Sequence, residues 1–229
     1  MIIHFVRHGH PDYTTDTLTE LGKKQAEAAA SRLRDVGIER IYSSTKGRAM
    51  QTAEATAALL GLTVIPCDFM REISWKPLGD EAVIANGHPW RTSEQLAANG
   101  ISLMNPDWKS TEPYCQCSTV GAIETVESGI DALLAELGYE REGQYYRVVG
   151  EDTNKTIAIF SHGGSSSAAL AHLLNIPFPM VCGSFALDFT SISTLALSNE
   201  RGALIFPKIR LLNDARHIEG ITVENVYDN

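Results

Sequence analysis

The chain has 229 residues, of which 44% are hydrophobic and 21% are charged, as in an ordinary globular protein with a sizeable core. This composition disfavours a disordered or fibrous chain, and no apolar run approaches the roughly 20 residues of a membrane-spanning helix. The net charge of −9 disfavours generic binding to nucleic acids or acidic membranes. An anion site in this protein would therefore have to gather its arginines locally.

The N-terminal sequence MIIHFVRHGH lacks the basic and apolar segments of a secretory signal peptide, so we expect a cytoplasmic protein. The four cysteines form no C-x-x-C pair, and their low density is typical of reduced thiols rather than of a disulfide scaffold. Cys115 and Cys117 could chelate a soft metal, but two reduced thiols in a loop are the favoured interpretation.

Short apolar segments alternate with helical patterns in the first third of the chain. Strands are predicted at residues 2–6, 39–43 and 62–65. The first helix between them could be capped by Thr17, at capping-box spacing from Glu20, or by Thr19. The second helix runs from about Gly47 to Leu60, and Gly61 ends it.

The second half of the chain continues this alternation. An amphipathic helix is predicted over residues 122–137, and a buried strand over 156–160 runs directly into another helix. Residues 191–197 and 203–206 are expected to form an antiparallel hairpin that ends the sheet. The whole pattern predicts an α/β fold, a three-layer α/β/α sandwich with a mostly parallel sheet and an antiparallel edge.

Two of the predicted strands end in a histidine followed by glycine. His8 lies in FVRHG, and His162 lies in IFSHGG. Because the carboxyl ends of parallel strands open onto one crevice, we expect the two histidines to converge. The helix that begins after Gly164 would direct its N-terminal amides at an anion bound there.

Arg7 and Arg48 supply the positive charge that such a site needs, since guanidinium groups bind phosphate oxygens through paired hydrogen bonds. Glu72 follows the third predicted strand and is the candidate proton donor. Arg48 or Glu72 taken alone would be interpreted as a surface charge. Their joint placement at one edge of the sheet predicts a phosphate site.

Five motifs occur in the order found in one known family. They are Arg7-His8-Gly9; Leu18-Thr19 with Gly22 and Gln25-Ala26; Tyr42-Ser43-Ser44 through Arg48-Ala49 and Gln51-Thr52-Ala53; Ser161-His162-Gly163-Gly164; and Asn213-Asp214 with His217. On these motifs, which span about residues 2–75 and 155–217, the chain resembles the histidine phosphatase superfamily of phosphoglycerate mutase-like proteins.

The resemblance implies a reaction that needs neither cofactor nor metal. His8 would be the nucleophile that attacks phosphorus and forms a phosphohistidine. Glu72 would protonate the leaving oxygen and then act as base for the attacking water. Ser161 would support the ring of His8.

The resemblance also implies which residues bind the substrate. The phosphate oxygens would be bound by Arg7, Arg48 and His162, with Gly9 and Gly163 beside them. At position 10 many relatives carry Glu or Gln, whereas this chain has His10, which could either contact the substrate or point outward.

The residues after Glu72 depart from the mutase pattern. They read Ile73-Ser74-Trp75 where mutases typically continue E-R-H-Y-G, so a phosphatase is favoured over a mutase. We interpret residues 73–118 as an insertion that covers the active site within a single domain, 1–229. Its aromatic and basic residues could line a substrate cover: Trp75, Lys76, His88, Trp90 and Arg91. Alternatively, the tryptophans simply pack the insertion.

Three other interpretations stay open. A metal site formed by His4, His8 and His10 is disfavoured, because His4 lies about 13 Å along the strand from His8. The other two are a cofactor-primed mutase and a non-catalytic module that binds a phosphorylated ligand. The expected partner is a small phosphorylated metabolite, with no nucleic acid or membrane, and a homodimer along the 191–206 hairpin is left open.

Overall fold

A computed structural model describes residues 1–76 and 89–221, without the side chains of Pro89 and Trp90. Its strands are β1 Ile2–Arg7, β2 Pro11–Asp12, β3 Thr17–Leu18, β4 Arg40–Ser43, β5 Val64–Pro66, β6 Tyr139–Glu142, β7 Tyr145–Val148, β8 Thr156–Ser161, β9 Ile192–Ala196, β10 Leu204–Ile205 and β11 Lys208–Asp214. Its helices are α1 Glu20–Leu33, α2 Gly47–Leu60, α3 Pro89–Ala98, α4 Thr119–Glu136, α5 Gly163–Leu174 and α6 Phe178–Ser184. None of the helices in these ranges is both long and apolar enough to cross a bilayer.

A six-stranded sheet organises the fold, with the order β11-β9-β1-β8-β4-β5. Strands β1, β8, β4 and β5 run parallel, while β9 pairs antiparallel with both β1 and β11. Two smaller sheets, β10-β7-β6 and β2-β3, lie outside it. The predicted fold class, a mostly parallel sheet with an antiparallel edge flanked by helices, is confirmed.

Alternating side chains of the central strands pack against different helical layers. Ile3 and Phe5 of β1 belong to the larger hydrophobic core, which includes residues of α4 and α5. Val6 lies in the second core, which includes Leu33 of α1 and Ala53 of α2. Because successive side chains of a strand point to opposite faces, this division places one helical layer on each side of the sheet.

The helix boundaries follow from local chemistry. Of the two alternative caps for α1, Thr19 is the one used, and its Oγ1 accepts a hydrogen bond from Gly22 N at 3.1 Å. Helix α2 ends at Gly61, whose φ of 67° lies in the left-handed region that glycine adopts without a steric penalty.

The predicted hairpin of residues 191–197 and 203–206 is wrong. Strand β9 is buried along most of its length and takes β1 and β11 as neighbours, so its partner on the outer side is a longer strand further along the chain. Leu204 and Ile205 of β10 pair instead with Arg147 and Tyr146 of β7. The exposed edge strand at this end of the main sheet is therefore β11.

The described part of the segment 73–118 is attached to the domain by aromatic packing. The ring centroids of Trp108 and Tyr114 lie 5.7 and 6.3 Å from that of Phe178 at the start of α6, and that of Trp75 lies 6.1 Å from it. Helix α3 also contacts α6, where Ser93 Oγ donates to a backbone carbonyl at 2.8 Å. That this segment covers the active site stays a prediction.

The loop after β1 and the start of α1 are in backbone contact. A Cβ atom at Gly9 would lie 2.6 Å from the carbonyl oxygen of Gly22, and one at Gly22 would lie 2.1 Å from the carbonyl oxygen of His10. Neither distance leaves room for a side chain. Both positions must therefore be glycine for the start of α1 to contact the backbone of the loop that carries His8.

We expect Gly22→Ala to lower the free energy of unfolding by about 1–3 kcal/mol, because the added methyl group meets backbone that cannot move without shifting the β1 loop. Gly121→Ala is the matched control, since Gly121 is exposed on α4 and its Cβ would meet nothing within 4 Å. That variant should be unchanged or stabilised by up to about 1 kcal/mol. Denaturant unfolding measures both, and equal effects would contradict the close contact.

Candidate active site

His8 is buried at the end of β1, with 1% of its surface exposed. Its backbone N–H donates to the carbonyl of Ser161 at 2.9 Å, and its carbonyl accepts from Thr190 N at 3.3 Å. Its Nδ1 lies 2.7 Å from the carbonyl oxygen of Gly9. Because a carbonyl only accepts, we assign the ring hydrogen to Nδ1, which leaves a lone pair on Nε2. In the same tautomer, His8 Nε2 accepts a hydrogen bond from the Nε–H of Arg48 at 3.2 Å.

His162 lies beside His8 at the end of the neighbouring strand, with 5.1 Å between the ring centroids. Its Nε2 is 2.8 Å from the hydroxyl of Ser44 at the end of β4. Burial lowers the pKa of both histidines well below the usual value, and the charge of Arg7 lowers the pKa of His8 further. Both imidazoles are therefore neutral at pH 7.

Arg48 stands at the start of α2 with its guanidinium buried. Its Nη1 forms an ion pair with Asp16, a residue of the β2–β3 turn. The other carboxylate oxygen of Asp16 accepts a hydrogen bond from Gly47 N at 3.0 Å. Asp16 thus joins the β2–β3 turn both to the first turn of α2 and to the cation that contacts His8.

Arg7 is buried at the end of β1, directly before His8 in the sequence. Its Nη1 donates to the carbonyl of Leu187, and its guanidinium carbon lies 4.3 Å from the ring centroid of Phe189. The loop between these two residues is fixed by Asn213, whose side chain accepts from Asp188 N at 2.7 Å and donates to the Asp188 carboxylate at 2.9 Å. The orientation of Arg7 therefore depends on a segment far along the chain.

Glu72 lies at the N-terminus of α5. Its Oε1 accepts hydrogen bonds from Ile73 N at 3.0 Å and Ser165 N at 3.2 Å, and a Cβ at Gly164 would lie 2.6 Å from that oxygen. The residue keeps access to solvent, yet the protein packed around it desolvates the carboxyl and raises its pKa. The two amide hydrogen bonds and the arginines act in the opposite direction. An acid with a raised pKa is suited to proton transfer near neutral pH.

The remaining predicted residues differ in how closely they approach this centre. Gly9 N donates to Thr52 Oγ1 at 3.1 Å, and Gly163 begins α5, where a Cβ would lie 3.8 Å from Arg7 Nε. His10 is half-buried, with Nδ1 3.0 Å from Thr19 Oγ1.

Other predictions concern the surroundings of the centre. The ring of Trp75 lies in the aromatic cluster, with its centroid 6.2 Å from that of Tyr114. Ser161 Oγ contacts Ser166 Oγ at 2.6 Å, so its side chain is engaged there rather than with the His8 ring. Lys76 and Arg91 are exposed, whereas His88 and the side chain of Trp90 lie outside the described residues.

Four residues that the sequence did not assign complete the site. Ser44, Asp16, Phe189 and Asn213 each contact one of the predicted histidines or arginines or fix the loop that does. Ser44 and Asn213 belong to two of the five sequence motifs, but the motifs do not indicate what either side chain contacts. Asp16 belongs to none of the motifs, and its positive φ of 55° could not be predicted from the neighbouring residues.

The residues of the disfavoured metal interpretation do not come together. Across residues 1–76 and 89–221, no group of three or more His, Cys, Asp or Glu side chains is arranged to hold an ion. His4 Nδ1 lies 2.9 Å from Thr194 Oγ1 of β9.

The fold and the site define an α/β sandwich with a histidine–arginine centre at the ends of its parallel strands. A sequence model of the histidine phosphatase superfamily (branch 1) matches residues 3–100. A protein of Yersinia pestis (strain Pestoides F) named "Probable phosphoglycerate mutase" is 36% identical over 81 residues. That match covers 31% of this chain and 38% of the relative, well under half of its length.

Solved structures share the fold over most of the chain. A mutant phosphoserine phosphatase of Entamoeba histolytica, in complex with phosphoserine, has a TM-score of 0.65 at 21% identity and covers 95% of this chain and 98% of its own. The α-ribazole phosphatase of Shigella flexneri has a TM-score of 0.62 at 23% identity, covering 94% and 97%. The family model thus confirms the resemblance to the histidine phosphatase superfamily over residues 3–100, which hold three of the five motifs.

The lowered pKa of His8 predicts that its ring stays neutral at pH 6, where an ordinary histidine with a pKa near 6.5 is mostly protonated. Ring nitrogen chemical shifts measured by NMR across pH 5–8 should show the Nδ1–H tautomer down to pH 6. The unfolded state binds this proton below pH 6.5 and the folded state does not, so the contribution of His8 to stability should be lost as the pH falls. A titration midpoint at or above 6.5 would contradict the assignment.

Asp16→Asn should tighten the binding of inorganic phosphate several-fold, because it removes a negative charge that competes for the guanidinium of Arg48. Asparagine also tolerates the left-handed backbone at this position. Calorimetric titration at fixed ionic strength measures the affinity. Asp12→Asn is the matched control, since the Asp12 carboxylate accepts from Thr14 N in the same turn. Weaker binding in Asp16→Asn would mean that this carboxylate acts mainly by orienting Arg48.

Proposed function

We propose that the protein is a phosphatase that hydrolyses a phosphate monoester of a small metabolite through a phosphohistidine on His8, without a metal. The observation that carries this proposal is the state of His8. Its ring is buried and neutral, with Nδ1 held by the Gly9 carbonyl and the Nε2 lone pair directed toward Arg48. A nucleophile held beside a cation in this way is suited to attack an anionic phosphoryl group.

In the first step His8 Nε2 attacks phosphorus and the bond to the ester oxygen breaks. Glu72 donates its proton to that oxygen, which leaves as an alcohol. Arg7, Arg48 and His162 bind the three equatorial oxygens, and the two guanidinium groups balance their charge while the phosphoryl group is transferred. The product of this step is a phosphohistidine next to an ionised Glu72.

In the second step the Glu72 carboxylate takes a proton from water as the water oxygen attacks phosphorus. The P–N bond breaks, His8 is restored and inorganic phosphate leaves. The exposure of Glu72 supports hydrolysis over transfer to a second alcohol, because water reaches the carboxylate that must activate it. The cofactor-primed mutase is the second candidate, on the strength of the name carried by the Yersinia relative.

The test is phosphate release from a panel of phosphomonoesters, with EDTA present throughout. His8→Gln should reduce turnover at least about 1,000-fold, because no covalent intermediate can form. His172→Gln is the matched control: His172 lies near the far end of α5 from Gly163, where it pairs with Asp131. It should retain activity.

The phosphoenzyme provides an independent measurement. Rapid quenching with a labelled ester should trap an acid-labile, alkali-stable phosphoryl group on the wild type and none on His8→Gln. Loss of activity in EDTA would overturn the metal-free mechanism. Isomer formation that depends on a bisphosphate primer, without sustained phosphate release, would identify a mutase instead.

A further inference from the structure

A cavity of about 350 Å³ opens beside Arg7. It is lined by Arg7, Gly163, Gly164, Ser167 and the segment 182–188. We propose that this cavity, named here the alcohol pocket, holds the leaving alcohol and selects an uncharged, largely apolar alcohol over one that carries a carboxylate. This inference rests on the proposed phosphatase activity and specifies its substrate class.

The alcohol pocket is continuous with the proposed reaction centre. Arg7 belongs to both, and Gly164 in its wall is the residue whose missing side chain makes room for Glu72 Oε1. A phosphoryl group held by Arg7 would therefore place its ester oxygen near Glu72. The carbon skeleton attached to that oxygen would extend along Gly163 and Gly164 into the pocket.

The charges around the alcohol pocket disfavour an anionic skeleton. Among the described residues that line the pocket, Arg7 is the single Lys or Arg. In the proposed reaction its guanidinium is committed to the phosphoryl group. The other charged lining residue is Asp188, whose carboxylate is held in place by Asn213 Nδ2 at 2.9 Å. A carboxylate in the pocket would thus face another carboxylate without a cation of its own.

Residues 77–88, which lie outside the described ranges, read PLGDEAVIANGH. Two of them are acidic, none is Lys or Arg, and His88 is the one side chain among them that could carry a positive charge.

The remaining lining residues are suited to an apolar body. Cys182, Phe185, Ala186 and Leu187 contribute hydrocarbon or sulfur surface, and Ser167 and Ser184 add two hydroxyls. A volume of about 350 Å³ is near the lower end of the roughly 300–1,000 Å³ found for ligand pockets. The pocket therefore suits an alcohol with one ring or a short chain.

Two synthetic esters that differ in one charge test the proposal: 2-phenylethyl phosphate and 2-(4-carboxyphenyl)ethyl phosphate. Their reacting groups are alike, so the ratio of their kcat/KM values reports on the pocket. We expect wild type to favour the uncharged ester by at least about tenfold. Equal values, or a preference for the carboxylate, would overturn the pocket assignment while leaving phosphatase activity intact.

A charge introduced at the exposed residue Ala186 sharpens the test. Ala186→Lys supplies the missing cation, and Ala186→Gln has a long side chain without charge. Relative preference for the carboxylate ester should be at least about tenfold greater in the Lys variant than in the Gln variant. Equal preference in the two variants would contradict the location. If the wild type releases phosphate from neither these esters nor the wider panel, it is the proposed function that fails.

Discussion

Two guanidinium groups are buried next to two neutral imidazoles, and the surrounding loops supply the partners that offset the desolvation cost of the two charges. A buried cation is costly unless it has partners of opposite charge or polarity. Arg48 has the Asp16 carboxylate, and Arg7 has the Leu187 carbonyl and the face of Phe189. The positions of the β2–β3 turn and of the segment 187–189 are therefore stabilised by the ion pair, the hydrogen bond and the ring contact that they form with the two arginines.

The parallel sheet supplies the geometry that brings these groups together. His8 and His162 follow the adjacent strands β1 and β8, and Ser44 follows β4 on the other side of β8. Their side chains meet because the three strands end at one edge, although the residues are far apart in sequence. Two buried arginines place positive charge at this edge in a protein whose net charge is −9.

The sequence predicted the parts of this structure that depend on local patterns. The apolar strands, the end of α2 at Gly61 and the histidines after β1 and β8 all follow from residue type and spacing. For the cap of α1 the sequence left Thr17 and Thr19 as alternatives, and the structure uses Thr19. The sequence did not predict contacts that depend on long-range pairing. The sequence predicted residues 203–206 as the neighbour of β9, whereas the sheet pairs β9 with β11. Likewise, nothing in the sequence around Asp16 or Asn213 indicates that they contact Arg48 and Asp188.

The aromatic anchor at Phe178 connects the segment 73–118 to a wall of the cavity beside Arg7. Helix α6 begins at this ring, which packs against Trp75, Trp108 and Tyr114, and the chain leaving the helix forms a wall of the cavity beside Arg7. The histidines and Arg48 instead stand at the strand ends and on α2. The same wall carries Leu187, whose carbonyl accepts a hydrogen bond from Arg7. A change in the aromatic anchor that shifts α6 would therefore alter the cavity and the position of the Arg7 guanidinium together.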